Sequence, residues 1–397
     1  MKKFLKILAY TLLAIVIIVL GFLFNTGDKS YEIPNQVAVN APYETDKANE
    51  TFHRSLFIAD MHADSFTFVD TFMERKTYAH LDYPRAVDGG ISLLTMAIAT
   101  EVPLSMVRKR PGGIVRGGNI LKFSAFMNLE PVANWFSKYA RGNWIVANVT
   151  RTATANPEKI VLLTAREDLQ ELLAQHAAGP IQRVGMLLAI EGAHVLEGDL
   201  QRLDALYARG VRMVSLTHAF DNEYGGSSEG AEQFGITAEG EALLARAQEL
   251  GMIIDIAHAS PALVDDVLER ARKPVVYSHG GIEGTCDIER NLRDAALDKI
   301  AANGGLIAMG FWTRVLCGES VNDVATSMRY VADRIGAEHL ALGSDFDGGV
   351  TTVFDATGLP LLTDALLAAG FSENEVRQMM GANYTRLLLQ SLPTREP

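Results

Sequence analysis

Residues 56–65 read LFIADMHADS: an apolar run with the composition of a buried strand ends in His62-Ala63-Asp64. Residues two apart in a strand point to one side, so His62 and Asp64 leave the strand end together, aimed at one point. An imidazole and a carboxylate on one rigid edge suit a divalent metal such as zinc. A lone His-x-Asp is a common chance pairing. Its weight here comes from repetition, because apolar strands ending in a ligand-type residue recur along the chain.

Eight such runs follow one another: LFIADMH (56–62), ISLLTMAIA (91–99), GMLLAIE (185–191), RMVSLTH (212–218), MIIDIAH (252–258), PVVYSH (274–279), GLIAMGF (305–311) and LALGSD (340–345). Amphipathic helical stretches separate most of them, among them 199–209, 238–250, 261–271, 297–303 and 321–335. Eight strands with helical crossovers in one series predict an α/β fold, a (β/α)8 TIM-like barrel; pattern alone also admits an open sheet. A chain of 397 residues is long enough for two average domains or for one such barrel. Residues 100–184 hold far more chain than one crossover needs. Their paired glycines at 112–113 and 117–118 and the region around Trp135 and Trp144 predict an insertion of loop and helix overhanging the active face. Within it EKIVLLTA (158–165) reads as an extra strand and 166–175 as a helix, and 373–389 reads as a final helix closing the outer ring.

The N-terminus is different in kind. Residues 1–6 carry Lys2, Lys3 and Lys6, and 7–24 follow without a charge, long enough at helical rise to cross most of a bilayer core. A cleaved signal peptide has a shorter apolar core and a small-x-small site directly after it, whereas the nearest such site here, Val39-Asn40-Ala41, lies far downstream and precedes Pro42. The reading is one uncleaved transmembrane signal anchor, with the lysines on the cytoplasmic side and the rest exported. The chain then divides into a basic stub (1–6), the span (7–24), a polar linker (25–50) with Pro34 and Pro42, and a barrel domain (51–397).

Composition narrows the partners. Hydrophobic content of 48% with 21% charged residues is that of a globular protein with a full core, and a net charge of −12 leaves no basic patch for nucleic acid. The two cysteines, Cys286 and Cys317, would be bridged in an oxidising compartment and free in the cytosol.

Active sites of such barrels lie at the C-terminal ends of the strands. Those ends carry His62 and Asp64, Glu191, His218, His258, His279 and Asp345, and four of the nine histidines terminate a predicted strand. One histidine at a strand end commonly just caps it, but burying seven ionisable groups from six strands without a metal is costly. The count points to two metals: His62, Asp64, His258 and His279 as ligands, with Glu191 bridging. Such a pair would hold a water between its ions and lower the pKa of that water, which is hydrolysis chemistry. Asp345 is then placed to take the proton from the water and deliver it to the leaving group, although its DFDGG setting also looks like a turn. His218 is better placed as a donor to the oxygen where negative charge develops. The remaining histidines, His53, His80, His176, His194 and His339, fall in helices or loops and read as surface or supporting residues.

Together these motifs resemble the membrane (renal-type) dipeptidases, zinc peptidases of family M19 in the amidohydrolase-like superfamily. The residues that carry the resemblance are ADMHADS (59–65), AIEGAH (189–194), SLTHAFDN (215–222), DIAHAS (255–260), YSHGG (277–281), ERN (289–291), GSDFDGG (343–349) and GANYTRLL (381–388), in family order over about 55–390. The resemblance implies a dipeptidase with two Zn2+ per subunit, one on His62 and Asp64, the other on His258 and His279, bridged by Glu191. It implies His218 beside the scissile carbonyl, Asp345 as acid and base, and Arg290 on the substrate's terminal carboxylate. A guanidinium fork does recognise a carboxylate bidentately, which restricts substrates to short peptides with a free C-terminus, L,D-dipeptides included. Without the resemblance, a salt bridge from Arg290 to a nearby acid such as Glu289 or Asp294 is the lesser alternative. Cys286 and Cys317 fall close to a pair that is bridged in animal members, which implies a disulfide. Family members are often dimers, so a homodimer is admitted.

The chain departs from the family pattern beside the substrate: AFDNEYGGSSEG after His218 lacks the tryptophan-containing stretch of animal members, YSHGGIEG has two glycines where small polar residues are commoner, and 100–184 is longer. Its anchor is N-terminal where animal members carry a C-terminal lipid, which points to a bacterial inner-membrane enzyme facing the periplasm or cell exterior. Two other readings use the same residues. One is an amide or lactam hydrolase, or a periplasmic maturation enzyme trimming a peptide-derived metabolite; the other is a non-catalytic binding barrel, against which the intact ligand set, Asp345 and Arg290 weigh.

Overall fold

The structure, a computed structural model, describes residues 35–68, 72–103, 119–179 and 183–395, together with Thr11. Among these residues run β1 (Gln36–Val37), β2 (Ile58–Ala63), β3 (Ile91–Ala99), β4 (Ile160–Leu162), β5 (Val184–Glu191), β6 (Val211–Ser215), β7 (Ile253–Asp255), β8 (Val276–Tyr277), β9 (Leu306–Met309), β10 (Leu340–Leu342) and β11 (Thr351–Thr352). Strands β2, β3, β5, β6, β7, β8, β9 and β10 pair in that order, all in parallel, and Leu342 of β10 returns to Asp60 of β2. The sheet is therefore a closed eight-stranded barrel whose strands are the eight apolar runs of the sequence. The extra strand β4 pairs with residues 184–186 of β5, on the edge that β6 takes over at residues 188–190. It fills the gap where those two strands diverge.

Ala59, Met61, Leu93, Leu187, Ala189, Met213, Ile253, Val276, Leu306, Ala308 and Ala341 pack together with Tyr384, Leu387 and Leu388 of the C-terminal helix Asn383–Ser391. That helix was expected on the outer ring. Instead it caps the N-terminal mouth of the barrel, with the Tyr384 hydroxyl 2.7 Å from the Thr95 hydroxyl. The kink that turns it under the barrel is at Gly381, where a Cβ would lie 1.9 Å from the Phe57 carbonyl oxygen.

The apolar span at 7–24 lies outside the described residues, and no described helix is long and apolar enough to cross a membrane. The linker reading is corrected from residue 35 onward. β1 pairs in parallel with β11, the Tyr43 hydroxyl donates to Asp355 (3.3 Å), and Asp46 caps the helix Lys47–Arg54 while its own N–H donates to Asp364 (2.7 Å). Isolated polar anchors of this kind dock a segment without giving it any periodic pattern.

Between β3 and β5 lie helices Ile120–Met127, Val132–Phe136, Lys138–Ala155 and Arg166–Ala178. The third sits on the rim at the C-terminal end of β3: the buried Arg141 donates to the Thr100 carbonyl (3.0 Å) and Lys138 pairs with Glu101 (3.3 Å). A Cys286–Cys317 disulfide (Cα–Cα 5.5 Å) joins the segments that follow β8 and β9.

Candidate active site

The strands stop before the residues that matter. β6, β7, β8 and β10 end at Ser215, Asp255, Tyr277 and Leu342, although the apolar runs continue to His218, His258, His279 and Asp345. Buried side chains have replaced the ladder there. Asp60 accepts from the Ser344 N–H (2.9 Å), the Ser344 hydroxyl (2.5 Å) and the His62 N–H (3.2 Å). Asp255 does the same for the Ser278 N–H (3.0 Å), the Ser278 hydroxyl (2.6 Å) and the Ala257 N–H (2.9 Å). Each Asp–Ser clasp joins neighbouring strand ends and frees the next residues to turn inward. His258 (φ 62°) and Asp345 (φ 60°) do so in the left-handed region, a conformation that costs a non-glycine residue about 1–3 kcal/mol and persists only where the surroundings impose it.

All seven candidate ligands and acid–base residues meet at one place, and none is more than 7% exposed. Glu191 Oε1 lies 3.1 Å from His258 Nε2, 3.4 Å from His62 Nε2, 3.6 Å from His279 Nε2 and 3.7 Å from His218 Nε2. His62 Nε2 is also 3.4 Å from Asp64 and 3.9 Å from Asp345. His258 and His279 bring their Nε2 atoms within 2.9 Å of each other, and His62 Nε2 is buried with no hydrogen-bond partner. Imidazole lone pairs crowded on one carboxylate oxygen, one of them orphaned, fit bound cations better than a hydrogen-bonded core. Three overlapping groups have metal-holding spacing: His62, Glu191 and His279; Glu191, His218 and His258; His62, Asp64 and Asp345.

The electrostatics follow from burial and crowding. Burial drives the Glu191 carboxyl upward, but the charges of His218 and His62 and the hydrogen bond from His258 outweigh it and hold the group well below the usual carboxylate range. Burial lifts Asp345 well above its ordinary value; Asp64 and Glu191 add to the lift and His62 opposes it. His218 turns Nδ1 toward the Glu101 carbonyl (3.3 Å), which leaves Nε2 facing the cluster.

Arg290 adjoins the cluster through His279, 3% exposed, with Nη2 donating to the His279 carbonyl (3.0 Å) and Nη1 to the Tyr277 hydroxyl (2.8 Å). Among the described residues it forms no ion pair; Asp294 is instead held by Tyr330 and Arg334. Tyr277 explains one of the two unusual glycines, since a Cβ on Gly280 would fall 2.0 Å from the Tyr277 hydroxyl oxygen. The sequence reading missed Tyr277 and the two clasps. Their signal is faint but present: a serine directly precedes His279 and Asp345, and an aspartate stands two or three residues before His62 and His258.

Known proteins share the fold of this chain. The family model described as membrane dipeptidase (Peptidase family M19) matches residues 47–395. Dipeptidase verJ of Clonostachys rogersoniana is 33% identical over 213 residues, covering 52% of this chain and 55% of that protein. The chain spans about half the length of the first curated relatives it matches, 55% and 51%. The crystal structure of the probable dipeptidase PvdM from Pseudomonas aeruginosa superposes with a TM-score of 0.72 at 19% identity, covering 87% of this chain and 98% of that one. A metallo peptidase from Rhodobacter sphaeroides, liganded with a phosphinate mimic of the dipeptide L-Ala-D-Ala, gives a TM-score of 0.69 at 23% identity, covering 85% and 99%.

Proposed function

Because this chain belongs to the membrane dipeptidase family, peptidase family M19, we propose that it hydrolyses the peptide bond of dipeptides that carry a free C-terminal carboxylate, L,D-dipeptides included. The observation that carries the reading is the pairing of the buried carboxylate–imidazole cluster with Arg290, a buried cation with no acidic partner among the described residues. Nearby acids such as Glu229 and Asp345 help keep Arg290 charged without pairing with it directly, which leaves its guanidinium fork for a substrate carboxylate that fixes the substrate's register.

In this proposal His62 and Asp64 hold one zinc ion, His258 and His279 a second, and Glu191 faces both. Divalent cations so held would polarise the scissile carbonyl and make water acidic enough to supply a nucleophile near neutral pH. Arg290 sets the distance from the C-terminal carboxylate to the reacting bond. Asp345 accepts the proton of the attacking water and returns it to the departing amine. His218, its Nδ1 turned to the Glu101 carbonyl, donates from Nε2 to the carbonyl oxygen as charge develops. The apolar, lysine-flanked stretch at 7–24 anchors the enzyme in the inner membrane with the barrel in the periplasm, a compartment in keeping with the Cys286–Cys317 bridge.

Metal analysis of the purified chain, combined with hydrolysis of a panel of L,L- and L,D-dipeptides with and without chelator, tests the proposal. About two zinc per chain and chelator-sensitive cleavage support it, whereas metal-free chains that still cleave overturn it. Blocking the C-terminal carboxylate as an amide should abolish turnover.

Tyr277→Phe removes the hydroxyl that accepts from Arg290 Nη1 and donates to the Arg290 carbonyl. The loss of about 1 kcal/mol should raise KM roughly fivefold with kcat nearly unchanged, as steady-state kinetics would show. Asp345 must begin the cycle deprotonated, and its folded-state value is raised. Activity should therefore fall on acidification at a pH above the ordinary aspartate value of about 3.9, and a pH–rate profile reads that limb directly.

A further inference from the structure

The loop 345–349 bears Asp345 and cannot hold its own shape. Asp345, Asp347 and Gly349 all have left-handed φ, 60°, 65° and 76°. Its five backbone N–H groups can be traced one by one. Asp345 donates to the His62 carbonyl (3.1 Å), Phe346 to the Ser344 hydroxyl (3.0 Å) and Gly348 to the Asp345 carbonyl (3.1 Å). The other two are met from outside the barrel: Asp347 donates to His80 Nδ1 (3.1 Å) and Gly349 to Asn35 Oδ1 (2.8 Å).

His80 ties these outside contacts together. Its Nε2 donates to the Gln36 carbonyl (2.9 Å), and its backbone N–H donates to Asp347 Oδ1 (2.7 Å), whose other oxygen takes the Ser65 hydroxyl (2.6 Å). These partners fix one neutral tautomer, an acceptor at Nδ1 and a donor at Nε2. Burial pushes the imidazole down to about 4, so the tautomer holds near neutral pH. Residues beyond Gln36 continue the attachment, the Ala38 N–H reaching the Thr352 carbonyl at 2.8 Å and the Val39 N–H the Val353 carbonyl at 3.0 Å.

β1 has β11 as its one ladder partner among the described residues, and the barrel closes without it. Beside that ladder, the segment reaches the acid–base loop directly at Asn35 and, from Gln36, through His80. The loop in turn lies directly on the reacting group, because a Cβ on Gly348 would fall 2.1 Å from Asp345 Oδ1. Any lift of the loop therefore moves that carboxylate.

We propose that Asn35–Val37 and His80 form a positioning strap that sets the Asp345 carboxyl from outside the barrel, so that the segment nearest the N-terminal apolar stretch governs turnover. The inference rests on the reading of Asp345 as the proton carrier.

Its test uses the full-length chain with Asn35→Ala, His80→Ala, His80→Asn and, as reference, Asp345→Asn, measuring kcat, KM and zinc content. Displacing a catalytic group by about an ångström costs up to roughly a hundredfold. Asn35→Ala and His80→Ala should therefore lower kcat about 10- to 100-fold, with KM within about twofold and zinc content unchanged. His80→Asn keeps an acceptor for the Asp347 N–H and should restore part of the loss. If His80→Ala does not fold, Ala38→Pro, which removes the donor to Thr352, takes its place beside Asn35→Ala. Unchanged kcat in the strap variants while Asp345→Asn is inactive overturns the strap and leaves the dipeptidase reading standing. Loss of zinc in step with kcat also overturns it, by placing the effect on Asp64 through Ser65. Full activity of Asp345→Asn overturns the acid–base assignment, and the strap with it.

Discussion

Asp345→Asn should leave fold, zinc content and KM close to those of the parent and lower kcat about a thousandfold. General acid–base catalysis supplies roughly 10²–10⁴-fold, and an amide of the same shape carries no proton between water and amine. The substitution is conservative in space, since Asp345 is packed beneath Gly348 and held by its own N–H to the His62 carbonyl. Burial already favours the uncharged carboxyl, so the neutral amide adds no desolvation cost. Steady-state kinetics with metal analysis on the same sample make the check. A loss of zinc together with activity would mean that Asp345 acts chiefly as a ligand of His62 and Asp64's ion, an arrangement their spacing permits.

Glu191→Gln should have the larger effect. Four imidazole Nε2 atoms stand within 3.7 Å of one Glu191 oxygen, and the carboxylate is the anion they share. An amide there removes that charge, and its NH2 group can turn a donor toward positions where cations belong. Zinc content should drop from about two per chain to one or none, and turnover should fall below detection. A chelator acting on the parent protein should reproduce the loss, with activity returning on zinc addition. Retained zinc in Glu191→Gln would show that the histidines and Asp64 suffice and would remove Glu191 from the bridging role.

The barrel was legible because each of its strands is an apolar run and six of them lead to a histidine, aspartate or glutamate at the same end. The site was legible for the same reason: strand ends of a closed barrel face one another, so residues scattered from His62 to Asp345 had to meet. The exact strand ends were not. Asp255, Tyr277 and Leu342 close their ladders early because Asp60 and Asp255 satisfy the following backbone, Ser215 closes β6 with its own hydroxyl on the Thr217 carbonyl, and clasps between residues 284 and 23 apart leave no local pattern. The docked segment at 35–46 was hidden likewise, since a two-residue ladder and a few polar anchors have no period. The C-terminal helix was recognised as a helix but misplaced, because amphipathic spacing does not say which surface of a barrel its apolar face will cover.

The closure of β10 onto β2 also dictates when this protein can begin to work. His62 and Asp64 are made early and Asp345 late, and the strands that carry them become neighbours only once nearly the whole chain has been synthesised. Contacts so distant in sequence slow folding, because much chain entropy is lost before they form. A nascent chain therefore has no finished cluster to load. Metal capture must follow closure, so the ions that compete for the site are those around the folded chain, not those around the growing one.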